Sequence, residues 1–144
     1  MDNRDLVRAL HEIWNTGDVD RIGDVYAEDF VAHWPPSSEI PERRGLDGVR
    51  FGVARIRTAF PDWRETILDL VCEGDKVATR YVSTGTHEGR FWGLTATGRR
   101  VEIHEISIYR IADGRVAEQW CLFDELARLK QIGVSPEDFK RIVG

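Results

Sequence analysis

Cysteine is scarce in this chain, and so are long apolar runs and clustered positive charge; each shortage excludes something. The cysteines are Cys72 and Cys121, both in apolar, strand-like stretches. Two cysteines make no disulfide framework, and no Cys/His spacing reads as a zinc site. No apolar run approaches the ~20 residues that cross a bilayer. No phosphate loop or dinucleotide glycine fingerprint is present, so no cofactor is implied. The net charge is -5. Arg43-Arg44 and Arg99-Arg100 are short pairs flanked by acids or turns, which argues against a nucleic-acid partner. The polar start, Met1 to Asp5, runs straight into a helix. It reads as no signal peptide and implies a cytoplasmic protein without a membrane partner.

What is present suits one globular domain over residues 1–144. Leu6, Val7, Leu10, Ile13 and Trp14 recur at helical spacing and predict a helix over 3–15. Asp18 caps a short second helix with Ile22, Val25 and Tyr26 inside. Phe30 to Trp34 reads as a strand, ended by Pro35-Pro36. Residues 35–45 read as one long irregular segment, the kind that often forms a lid or binding loop. Leu46 to Phe60 is a third helix, and Gly48 and Gly52 on it are expected to let a neighbour approach closely. Strands are expected over 63–73, 76–90, 99–112 and 115–123. Asp113-Gly114 is a hairpin signal. Asp124 caps a closing helix with Leu126 and Leu129.

Helices first and antiparallel strands after them make an α+β order. A long curved sheet closed over by helices encloses a pocket. The longest strand changes parity: Val101 and Ile103 are apolar at odd positions, Ile106 and Ile108 at even ones. Either a bulge sits near His104-Glu105, or both faces are covered. The second option implies a homodimer through the sheet.

Seven pieces, in order, carry a family likeness: Ile13 to Asp18, Tyr26 to His33, Phe60 to Trp63, Gly85 to His87, the Gly89 to Gly98 corner, Tyr109 to Gly114, and Trp120 to Gly133. Together they span nearly the whole chain. The chain resembles the SnoaL-like polyketide cyclases of the NTF2-like superfamily, and most of all their ester cyclase branch. The resemblance implies an NTF2-like cone: three N-terminal helices packed on a curved antiparallel sheet, a hydrophobic pocket, a dimer and no cofactor. In the cyclases, an aspartate on the last strand is the acid/base, and a histidine on the long strand lines the cavity. Those registers hold Cys121 and Ser107 here. A related branch contains cofactor-independent polyketide hydroxylases.

The search for an acid/base therefore moves to other residues. Glu105 lies among apolar neighbours on the central strand. Burial raises a carboxyl pKa toward the range useful for proton transfer. The alternative for Glu105 is a structural ion pair with Arg80. His33 ends the first strand at the expected pocket mouth and is the second candidate; its alternative is a hydrogen bond to the loop backbone. Arg80 either orients an anionic oxygen of the substrate or pairs with Glu105 or Glu118. Trp34, Trp63 and Phe123 are expected on the pocket walls and suit a flat, hydrophobic, polycyclic ligand. Ser107, Gln119 and Cys121 complete the expected substrate-binding set. His104 is expected on the opposite face, at the dimer interface; His87 reads as structural and His11 as solvated. No metal ligands stand out.

Two functions from different classes fit these residues. One is a cofactor-free enzyme that abstracts a proton next to a carbonyl, leading to cyclisation, isomerisation or hydrolysis. The other is a non-catalytic small-molecule-binding module. Cofactor-independent polyketide hydroxylation is a third reading.

Overall fold

The computed structural model describes residues 1–36 and 38–143, apart from the side chains of Phe139, Ile142 and Val143. Helix α1 (Asn3–Thr16) begins at Asp2, whose side chain accepts from the Asp5 N–H. It ends at Gly17, in the left-handed region at φ 75°. A short 3-10 turn (Val19–Arg21) leads into the single-turn α2 (Ile22–Val25). Then come β1 (Tyr26–His33), β2 (Glu42–Arg44) and α3 (Gly45–Ala59). Strands β3 (Arg64–Glu73), β4 (Lys76–Thr86), β5 (Arg100–Ala112) and β6 (Arg115–Phe123) follow. Helices α4 (Glu125–Gln131) and α5 (Pro136–Val143) close the chain.

The six strands make one sheet in the order β2-β1-β6-β5-β4-β3. Strand β1 runs parallel to β6, and the other pairs are antiparallel. The sheet is therefore mixed, not wholly antiparallel. The parallel pair arises because α3 and the rest of the sheet lie between β1 and β6 in the chain. Helices α1 and α3 pack on the inner face of the sheet. Leu6, Leu10, Ile13, Val53, Ile56, Phe60, Ile103 and Tyr109 meet there in a continuous core. No helix among the described residues is long and apolar enough to cross a membrane.

Two expectations about the strands resolve cleanly. Strand β5 keeps one register with β4 from Arg100 to Arg110, so no bulge sits at His104-Glu105. Its odd residues, Val101 to Ile111, face inward, and Ile106 and Ile108 stand exposed on the outer face. A bulge does occur in β3: Ile67 pairs with Tyr81, Asp69 pairs with Arg80, and Leu68 is the extra residue. Asp113 and Gly114 both take positive φ, 51° and 74°, as a two-residue hairpin of that type requires.

The segment expected to be irregular over 35–45 contains β2, which adds to the free edge of β1; Ser37 lies outside the described residues. Helix α5 was not expected. Its start carries a usable signal, because Ser135 exchanges hydrogen bonds with Asp138 across Pro136. Tyr26 belongs to β1 rather than to the second helix.

Candidate active site

Inward-pointing residues of β3 to β6 form one side of a cavity, and α1, α3, α4, the segment after β1 and the corner between β4 and β5 form the rest. Its wall includes Trp14, Trp34, Trp63, Tyr81, Trp92, Tyr109 and Phe123. It is more polar than expected. Glu39, Arg43, Arg55, Glu65, Glu105, Glu125 and Arg128 also line it. The cavity volume is about 60 Å³, small for a ligand pocket.

Glu105 is where strand parity puts it, facing the cavity and nearly inaccessible to water. The Ser83 hydroxyl donates to its Oε2 from the adjacent strand. Burial, with a smaller push from the Glu65 charge, raises its pKa to about 8; the Ser83 bond opposes the shift. The carboxyl is therefore mostly protonated at neutral pH and close to the point where it trades a proton readily. Arg80 is not its partner.

Arg80 points the other way. Its neighbours Thr79 and Tyr81 face inward, so alternation turns Arg80 to the outer face, where Nε donates to Asp69 at 2.6 Å. The same alternation turns His33 outward, because Ala32 is the buried residue. His33 Nε2 meets Glu118 Oε2 at 2.7 Å, and its ring stacks on Trp120 at 5.7 Å. That bond, first among the causes, holds the Glu118 carboxyl below its ordinary value. The cavity thus brings Glu105 together with Trp34, Trp63, Gln119, Cys121 and Phe123, but not with His33 or Arg80.

Ser107 lies just behind the wall. Its Oγ accepts from Gln119 Nε2 at 3.1 Å and meets the Tyr81 hydroxyl at 3.0 Å. Burial pushes both the Cys121 thiol and the Tyr81 phenol up. The thiol is thus held protonated and is no nucleophile. Asp124 does cap α4, accepting from the Ala127 N–H at 2.9 Å. His87 is buried, with Nδ1 bonded to Thr97 at 2.9 Å, and His104 is exposed on the outer face.

A buried polar chain escaped sequence reading. His11 is not solvated; it lies 2 % exposed beneath the sheet. Its Nδ1 meets Glu65 Oε1 at 2.7 Å, and its Nε2 meets the Tyr109 hydroxyl at 2.9 Å. A carboxylate only accepts, so Nδ1 donates to Glu65. Trp63 Nε1 donates to the other Glu65 oxygen at 3.0 Å. The available signal was positional: Val7, Leu10, His11 and Trp14 follow the i, i+3, i+4, i+7 stripe of a buried helix face.

The model of the family described as SnoaL-like polyketide cyclase matches residues 4–132. Aklanonic acid methyl ester cyclase DauD of Streptomyces sp. (strain C5) is 30% identical over 133 residues, covering 90% of this chain and 80% of its own. The solved structure of IdmH, a candidate polyketide cyclase from Streptomyces antibioticus, is 34% identical with a TM-score of 0.81, covering 93% of this chain and all of its own. AclR, a candidate hydroxylase from Streptomyces galilaeus, is 30% identical with a TM-score of 0.78, covering 92% of this chain and 82% of its own. A match this long, on a fold of this shape, places the chain in the SnoaL-like polyketide cyclase family.

Proposed function

We propose that this protein is a cofactor-free, polyketide-cyclase-type enzyme acting on a hydrophobic multi-ring substrate, with Glu105 as its acid/base. One observation carries the reading: Glu105 is a buried carboxyl on a ring-lined cavity, poised near neutrality and in no ion pair among the described residues, the nearby Arg128 charge being taken up by Glu125. Its ionised form takes a proton from the carbon next to a substrate carbonyl. The resulting enolate carbon attacks a second carbonyl of the same molecule. The new carbon–carbon bond leaves an alkoxide, which recovers the proton from Glu105. The sequence relatives carry that type of activity in their names.

The direct test is turnover of aklanonic acid methyl ester, followed by chromatography and mass spectrometry. A product of unchanged mass that fails to form with Glu105→Gln supports the proposal. Undiminished turnover by Glu105→Gln sinks the role of this residue. The likeness to AclR favours hydroxylation as the second reading; a product heavier by one oxygen, with dioxygen and an added two-electron reductant consumed and water released, selects it. Tight binding without turnover selects a binding module.

We also propose a homodimer through the outer face of the sheet. Ile106 pairs with Leu122 and Ile108 with Trp120 across β5 and β6, and all four are exposed there. Leu68 and Val71 extend the patch onto β3. Contiguous exposed apolar surface of this kind marks an interaction site.

A further inference from the structure

Most charged side chains on the cavity wall are already paired. Arg55 donates to Glu39, Arg128 donates to Glu125, and Glu65 is held by His11. That leaves Glu105, which burial keeps mostly neutral, and Arg43. Arg43 is the middle residue of β2. It sits opposite Ala32 on the inner face, while Glu42 and Arg44 on either side point to water. Only 7 % of its surface is accessible, and its Nε and one terminal nitrogen have no hydrogen-bond acceptor among the described residues.

Helix α3 is shaped around this guanidinium. A Cβ at Gly52 would come within 2.8 Å of Arg43 Nη1 and 3.0 Å of the Trp14 ring, and a Cβ at Gly48 within 3.4 Å of Arg43 Cβ. Gly48 thus makes room for the arginine, and Gly52 for both the arginine and the Trp14 ring of the neighbouring helix α1, as expected of a close approach. Burial, then the nearby Arg55 charge, lower the Arg43 pKa to about 10, so the group stays cationic at neutral pH. A buried cation with no anionic partner among the described residues is costly, and a cation–π contact with the Phe51 ring, whose centre lies 5.4 Å from the guanidinium carbon, offsets only part of that cost.

We infer that Arg43 is a binding site for an oxyanion of the ligand, a carboxylate or the ionised enol of an aromatic ring system, received by the free N–H groups of the guanidinium. The inference deepens the proposed function and rests on its reading of the cavity as a ring-binding site. A planar guanidinium offers N–H groups that suit the two oxygens of a carboxylate or the adjacent oxygens of an enolised quinone. A phosphate dianion fits poorly: it needs more donors than one fork provides, and the wall carries four glutamates.

The test uses two pairs of probes near neutral pH: naphthoate with its methyl ester, and lawsone with its methyl ether. Binding is read by tryptophan quenching and calorimetry. Wild type should bind at least one anion about tenfold or more tightly than its neutral twin, as charge-assisted bonds require. Whichever pair shows the larger ratio identifies the carboxylate or the enolate as the better-fitting oxyanion. Arg43→Met should erase the ratio while leaving the neutral twin's affinity nearly unchanged, and Arg43→Lys should keep part of it. Arg43→Met should also melt at a higher temperature, since it removes an unpaired buried charge; an arginine kept for structure would give the reverse. Equal affinity for anion and neutral twin, or a ratio that survives Arg43→Met, overturns the anion site and leaves the ring-binding cavity standing. Failure of all four probes to bind overturns both.

Discussion

Ser107 on β5 and Cys121 on β6 stand directly opposite each other, and the Tyr81 hydroxyl meets both, 3.0 Å from Oγ and 3.5 Å from Sγ. The family likeness directs attention to these two registers, yet both hold groups that stay uncharged. Glu105 lies two residues along β5 on the same inward face.

Cys121 is therefore expected to be dispensable for chemistry. Burial first, and the Glu105 charge second, push its thiol up. Cys121→Ser should retain turnover within a few-fold. In the folded protein, a thiol reagent should label the more accessible Cys72 and spare Cys121 until denaturant is added. Rapid labelling of Cys121 with loss of turnover would reverse this view.

His11 and Glu65 should matter twice, for stability and for tuning. His11→Phe leaves the Glu65 carboxylate and the Tyr109 hydroxyl short of a partner inside the core, a loss of about 2–4 kcal/mol by the usual cost of orphaned buried groups. Urea unfolding measures it. The Glu65 charge also helps to raise the Glu105 pKa. Glu65→Gln should therefore move the pH dependence of turnover to lower pH. An unmoved profile would show that the two carboxyls do not communicate.

The order of elements was readable because each long element carries its own period. Helix α1 has its apolar stripe, and the Asp113-Gly114 turn sets the β5–β6 hairpin. Glu105 was readable for the same reason: on a regular strand, parity decides the face. Arg43 and β2 were not readable, because three residues between proline and glycine have no period and their direction comes only from pairing with Ala32. His33 and Arg80 went the wrong way for a related reason. Each lies one residue from the buried position, and a shift of one reverses the face. His11 was misjudged by its type, since a histidine within an apolar stripe reads as polar until its carboxylate partner, 54 residues away, is placed beside it.

The outer face gives a prediction about assembly. Ile106 is 52% exposed and Leu122 70%. Light scattering at micromolar concentration should give a dimer. Ile106→Glu with Leu122→Lys should give a folded monomer with an unchanged far-ultraviolet spectrum, since neither side chain contributes to the inner core. A wild-type monomer at that concentration would rule out the interface.

Glu105 supplies the prediction that joins chemistry to stability. As a base it works only when ionised, so the rate of proton abstraction should climb as pH rises through about 8. Glu105→Gln should cost roughly 10²–10⁴-fold in turnover, the usual share of a positioned acid/base. The same shift fixes a stability trend. The folded pKa lies above the ordinary 4.5, so between those two values the folded protein holds a proton that the unfolded chain has released. Stability from this group therefore falls as pH rises across that window and levels off above about 8. Glu105→Gln keeps an uncharged group beside Ser83 at every pH and should remove that slope. Melting curves of the two proteins across the window should diverge, with the variant gaining on the wild type toward the alkaline end. Parallel curves would mean that Glu105 titrates as an ordinary carboxylate, and the acid/base assignment would lose its physical basis.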